Sequence, residues 1–129
     1  MQADILVVDD SAAIRKILQR VLRQTGMAIG TIMEAGDGEE ALARLQAHKV
    51  DLILTDINMP KMDGLQLLGR VKAAAGWEGI PVVMITTEGG ETKVAEAVRL
   101  GAAGYVRKPF TADQIKEKLA GLLEAALST

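Results

Sequence analysis

The chain has 129 residues, 49% of them hydrophobic and 25% charged, the balance of a single soluble globule that buries roughly two thirds of its unfolded surface. With no cysteine and one histidine, disulfides, thiolate metal sites, a catalytic thiol and an imidazole-rich zinc site are excluded. A net charge of −2 and only Trp77, Tyr105 and Phe110 as aromatics argue against direct nucleic-acid binding and base stacking. No apolar run reaches membrane-spanning length, so the expectation is one cytoplasmic, monomeric domain over 1–129 with no membrane contact.

Residues 5–8 form a continuous apolar run, as in a strand buried on both faces. Ile14, Ile17, Leu18, Val21 and Leu22 then recur at helical spacing, with the helix closing near Gly26. Residues 29–35 read as a weaker strand whose Gly30 suits an edge. After an Asp37-Gly38 turn, 38–49 reads as a helix with Ala41, Leu42 and Leu45 inward. Residues 52–54 are a second buried strand. A turn-rich loop over 58–64 follows, with Gly64 expected at a positive φ. It leads into a helix bearing Leu67, Leu68, Val71, Ala74 and Ala75. Pro81 opens a third buried strand over 82–85. Gly89-Gly90 precedes a thinly apolar helix with Val94, Ala97 and Val98 inward. Residues 105–107 make a short strand, and Thr111 caps a last helix with Ile115, Leu119, Leu122 and Ala126 inward.

Five strands, each followed by a helix, predict an α/β fold: a (βα)5 doubly wound, flavodoxin-like parallel sheet with right-handed crossovers. The first, third and fourth strands are the most apolar and belong in the centre, which gives the order 2-1-3-4-5.

In such a sheet, ligands bind outside the carboxyl ends of the strands. There the chain places Asp9-Asp10, Asp56, Thr86 and Lys108-Pro109. Singly, each has a plainer role: an aspartate capping a helix, a turn residue before Pro60, a threonine suited to a strand, a solvated lysine. Together they put three carboxylates at one crevice, where mutual repulsion calls for a cation. With no imidazole or thiolate in the set, that cation is a hard one, Mg²⁺. Three aspartates, a divalent ion and Lys108 then balance in charge.

The segments ILVVDDS (5–11), TDINMPKMDG (55–64), MITTE (84–88) and GYVRKPF (104–110) resemble the receiver domain of two-component response regulators, in particular the single-domain regulators of chemotaxis. The resemblance runs from Asp4 to about Leu123. It implies that Asp56 accepts a phosphoryl group from a sensor histidine kinase. It also implies that Asp9, Asp10, Asp56 and the backbone carbonyl of Asn58 hold Mg²⁺, and that Lys108 pairs with the acceptor and then with the phosphoryl group. Thr86 resembles the switch hydroxyl and Tyr105 the switch aromatic, while Lys108–Pro109 resembles a bond that is cis in this family. By the same resemblance, Asn58 and Glu88 are expected to border the path of an attacking water. The resemblance further implies that the signal leaves through a face made by the fourth helix, fifth strand and fifth helix, which contacts a protein target. Such a chain is a phosphoacceptor assisting its own phosphorylation and dephosphorylation, not an enzyme in the usual sense.

The competing class is a Mg²⁺-dependent aspartate-based phosphohydrolase. It uses the same acceptor chemistry but needs a general acid two residues later, where this chain has Asn58, and more chain for a substrate pocket. A flavin binder of the same topology is disfavoured by Asp9-Asp10 in the first loop. A degenerate docking receiver would lack one of the acids or the lysine. His48 reads as a surface residue at a helix end, the methionines at 27, 33, 59, 62 and 84 as packing, and Arg99, Arg107, Lys116 and Lys118 as a solvated basic face. Trp77, in a glycine-flanked loop, has no functional account.

Overall fold

A computed structural model describes residues 2–87 and 91–127; Glu88, Gly89 and Gly90 lie outside them. The elements run β1 (Ala3–Val8), α1 (Ala12–Gln24), β2 (Ile29–Ala35), α2 (Gly38–Ala47), β3 (Leu52–Asp56), α3 (Gly64–Ala73), β4 (Val82–Thr86), α4 (Glu91–Arg99), β5 (Gly104–Arg107) and α5 (Ala112–Leu127). All strand pairs are parallel, in the order β2-β1-β3-β4-β5. This is the order expected from their apolar content.

Alternation along the strands divides the core into two layers. Leu6, Val8, Ile53 and Met84 meet α2, α3 and α4 through Ala41, Leu45, Leu67, Leu68, Val71 and Ala97. Ile5, Val7, Leu52, Leu54, Val83 and Ile85 face the other way, against Leu18 and Leu22 of α1 and Ile115, Leu119 and Leu123 of α5. Among the described residues, no helix is long and apolar enough to cross a membrane.

The helix stripes are narrower than the apolar spacing implies. Ile17 and Val98, expected inward, are 42% and 56% exposed, because a helix lying on a sheet buries only the residues directly over it. In α5 the buried line is Ile115, Leu119, Leu123, a strict i, i+4, i+8 row, with Leu122 only half-buried beside it. Helix α3 stops at Ala73. Ala74 is its extended C-cap, its N–H turned back to Val71 O, and Ala75 is exposed. Helix α2 likewise stops at Ala47, with His48 extended and exposed. Thr25 closes α1, its hydroxyl donating to Leu22 O at 2.6 Å before Gly26 turns at φ +74°.

Register aligns the strand ends. Val8 pairs with Thr55, Asp56 with Ile85, and Thr86 with Arg107. The residues next along β1 and β5, Asp9 and Lys108, therefore emerge at one rim with Asp56 and Thr86.

Candidate functional site

Asp9 is 1% exposed, a position a carboxylate occupies only when paired and hydrogen-bonded. Its Oδ1 accepts the Ser11 N–H at 2.9 Å and its Oδ2 accepts Lys108 Nζ at 3.0 Å. Ser11 is the N-cap of α1, taking the Ile14 N–H, so neither Asp9 nor Asp10 is spent on capping. Asp10 is exposed at the rim. Asp56 ends β3; its Oδ1 accepts the Ile57 N–H at 2.8 Å and its Oδ2 lies 3.6 Å from Lys108 Nζ. One carboxylate oxygen from each aspartate falls within 4.8 Å of the others. That is a donor set suited to a hard divalent cation.

The electrostatics reflect crowding. Burial pushes the Asp56 carboxyl above its ordinary range, and the charges of Asp9 and Asp10 push the same way; the Lys108 ammonium and the Ile57 N–H pull against them. Lys108 is the shared counter-charge: it lies within ion-pair distance of Asp56, at 3.6 Å, and its hydrogen bond, at 3.0 Å, goes to Asp9. Its N–H donates to Thr86 O at 2.7 Å, and the Lys108–Pro109 bond is cis.

Thr86 is buried, and its hydroxyl donates to the Thr87 carbonyl at 3.0 Å. Tyr105, opposite Met84 in the register, is 41% exposed, with Lys118 Nζ 5.5 Å from its ring centroid. Asn58 is exposed, and its Oδ1 accepts Lys93 Nζ at 2.6 Å.

Gly64 corrects an expectation. Its φ is not positive; in this loop that role falls to Lys61, at φ 65°. Glycine is required because a Cβ would meet the backbone carbonyl of Asp56 and stand 2.9 Å from Ile57 Cα. The Gly64 N–H donates to Ile57 O at 2.8 Å, drawing the start of α3 tightly against the end of β3.

The residue types alone do not single out Arg15 and Glu34. Arg15 Nη1 donates to the Asp9 carbonyl at 2.7 Å and Nε to Glu34 Oε1 at 2.9 Å. The Arg15 hydrogen bond, with help from Gln19 and Lys16, holds Glu34 below its usual range against the opposing effect of burial. The available signal was a charged residue directly after Ile14, on the inward side of α1, facing the one charged residue of β2.

The parallel β2-β1-β3-β4-β5 sheet with an acidic rim is that of a receiver domain, and residues 5–120 match the response regulator receiver domain family, to which the chain belongs. Receiver domains are regulatory switches and not conventional enzymes. The chain is 41% identical over 120 residues to a chemotaxis protein CheY homolog of Campylobacter jejuni, covering 92% of this chain and 91% of that one. It is 41% identical over 116 residues to chemotaxis protein CheY1 of Helicobacter pylori, covering 89% and 92%. The solved structure of the chemotaxis response regulator CheY4 of Vibrio cholerae matches with a TM-score of 0.84 at 34% identity, covering 95% of this chain and all of that one. This family membership favours the receiver reading over the phosphohydrolase.

Proposed function

We propose that this chain is a single receiver domain over 1–129 that accepts a phosphoryl group on Asp56 from a sensor histidine kinase. Phosphorylation then switches the face of α4, β5 and α5 toward a protein target, as a cytoplasmic monomer acting in chemotaxis. The observation that carries the reading is three carboxylates within 4.8 Å of one another with the Lys108 ammonium reaching both Asp9 and Asp56. Relatives named as chemotaxis proteins support the choice of pathway.

Asp9, Asp10, Asp56 and the backbone carbonyl of Asn58 fit Mg²⁺, which when bound supplies positive charge for the phosphoryl oxygens. The protein's own groups do the rest. An Asp56 oxygen forms the new bond to phosphorus as the bond to the donor nitrogen breaks, and the imidazole leaves with the electron pair and takes a proton. Lys108 is placed to follow the charge from carboxylate to phosphoryl oxygens. Burial on a rigid strand end fixes the attack direction.

The test is incubation of the full chain with acetyl phosphate and Mg²⁺, followed by mass spectrometry. One phosphoryl group is expected on the peptide containing Asp56, and none on Asp56→Asn. An unmodified parent, or a fully modified Asp56→Asn, overturns the reading.

A further inference from the structure

Lys93 stands in the first turn of α4, outside the carboxylate cluster, yet its ammonium reaches across the rim to Asn58 Oδ1 at 2.6 Å, joining residues 35 apart. An ammonium only donates, so the Asn58 amide must present its oxygen to Lys93 and turn its NH₂ away. Asn58 follows Asp56 by two residues, and on the proposed function it borders the approach to the phosphoryl group. An amide oxygen at that position is the natural acceptor for a proton of a water attacking a phosphoryl group on Asp56. In this structure Lys93 takes one of that oxygen's two lone pairs and holds the amide toward α4.

We infer that Lys93 is a positioning residue that lengthens the life of the phosphoryl group by occupying Asn58 Oδ1. The inference rests on phosphorylation at Asp56. Hydrolysis forms a bond from water oxygen to phosphorus as the phosphorus–oxygen bond to Asp56 breaks. The carboxylate leaves with the electron pair, and the water's proton passes to phosphate and solvent. An acceptor free to turn toward that proton orients the water; one drawn toward α4 and depleted of electron density by an ammonium orients it less well. The tether also links α4 to the acceptor loop, so an α4 displaced by a docked partner would release Asn58.

Lys93 and Asn58 are both exposed, so substitutions there leave folding intact. The full chain and its Lys93→Met, Lys93→Arg and Asn58→Ala variants are loaded with acetyl phosphate and Mg²⁺. They are freed of donor, and loss of the phosphoryl group is followed by mass spectrometry. Lys93→Met should lose it about 3- to 10-fold faster, the span given by one hydrogen bond of ordinary net strength. Lys93→Arg, which keeps a donor, should stay near the parent. In an Asn58→Ala background, which retains the backbone carbonyl, Lys93→Met should have no further effect.

Equal or slower loss in Lys93→Met overturns the inference. So does an undiminished effect without the Asn58 side chain, which would mean that Lys93 acts directly on the phosphoryl charge. A parent that never gains the phosphoryl group overturns the functional reading and this inference with it. Unequal failure of the two is therefore visible in the loading step.

Discussion

Lys108 Nζ lies 3.0 Å from Asp9 Oδ2, an ion pair between residues 99 apart in sequence, and it is shorter than the 3.6 Å approach of the same ammonium to Asp56. One cation thus leans toward the most buried of three carboxylates. Burial raises the proton affinity of Asp56, the charges of Asp9 and Asp10 add to it, and the more distant Lys108 ammonium only partly offsets them.

Asp56→Asn should therefore stabilise the metal-free protein. Because the folded carboxyl titrates above its ordinary value of 3.8, the folded state keeps its proton over a pH window in which the unfolded state has already lost it. The parent loses stability there and carries the penalty at higher pH. In chelator at pH 7 the variant should be more stable by on the order of 1 kcal/mol, the usual gain from relieving strain at a functional site. The gap should close below pH 3.8. With Mg²⁺ added, the parent should gain stability and the variant much less. Chemical denaturation across pH with and without Mg²⁺ checks all three; a less stable variant in chelator would contradict them.

Glu34 should behave oppositely. Its carboxyl is held below 4.5, chiefly by Arg15, so its contribution is present above that value and is lost as pH falls through the depressed one. Glu34→Gln should cost roughly 0.5–1 kcal/mol at pH 7, as a partly exposed pair does, and nothing at low pH. Since Arg15 also holds the Asp9 carbonyl at 2.7 Å, Mg²⁺ affinity should fall modestly too. Calorimetric titration would detect it, and unchanged affinity would confine Arg15 to a role in stability.

Strand order and rim chemistry were legible because each rests on local rules: apolar runs belong to central strands, and polar residues after them collect at one edge of a parallel sheet. Burial on the helices was less legible. Ile17 and Val98 obey helical spacing as well as Leu18 does, and only the sheet beneath decides which is covered. Gly64 illustrates the same limit. A glycine after Met62-Asp63 signals either backbone freedom or close approach, and the nearness of the Asp56 carbonyl is a tertiary fact. Arg15, Glu34 and Lys93 act through partners on other elements, so residue type alone did not mark them.

Gly64→Ala should be costly. The added methyl meets backbone at Asp56 and Ile57, which cannot rotate away as a side chain can, and overpacking of this kind costs about 1–3 kcal/mol. The displaced atoms belong to the acceptor residue itself, so phosphorylation by acetyl phosphate should fall even where the variant is fully folded. Gly69, whose added Cβ would meet nothing within 4 Å, is the control: Gly69→Ala should be neutral or stabilising, since alanine favours the interior of α3. Denaturation midpoints of the two variants should move in opposite directions, and a neutral Gly64→Ala would refute the close-approach argument.

On the proposed function, Thr86 and Tyr105 would carry the signal away from the site. The Thr86 hydroxyl is engaged with the Thr87 carbonyl, a neutral hydrogen bond that a phosphoryl oxygen would outcompete, since charge-assisted bonds are about twice as strong. Its movement would redirect the backbone where β4 passes into the segment before α4. Tyr105, two residues before the Arg107 that pairs with Thr86, is already 41% exposed beneath the Lys118 ammonium, so turning it inward buries aromatic surface at the expense of one weak cation–π contact. A switch balanced this closely needs a shift of only a few kcal/mol. Thr86→Ala should accept the phosphoryl group on Asp56 to the same extent as the parent, while NMR shifts across 91–107 respond to phosphorylation much less. Thr86→Ser, which keeps the hydroxyl, should restore most of the response. If Thr86→Ala responds as fully as the parent, the relay runs instead through the Lys108 N–H bonded to the Thr86 carbonyl, a contact that this substitution leaves in place.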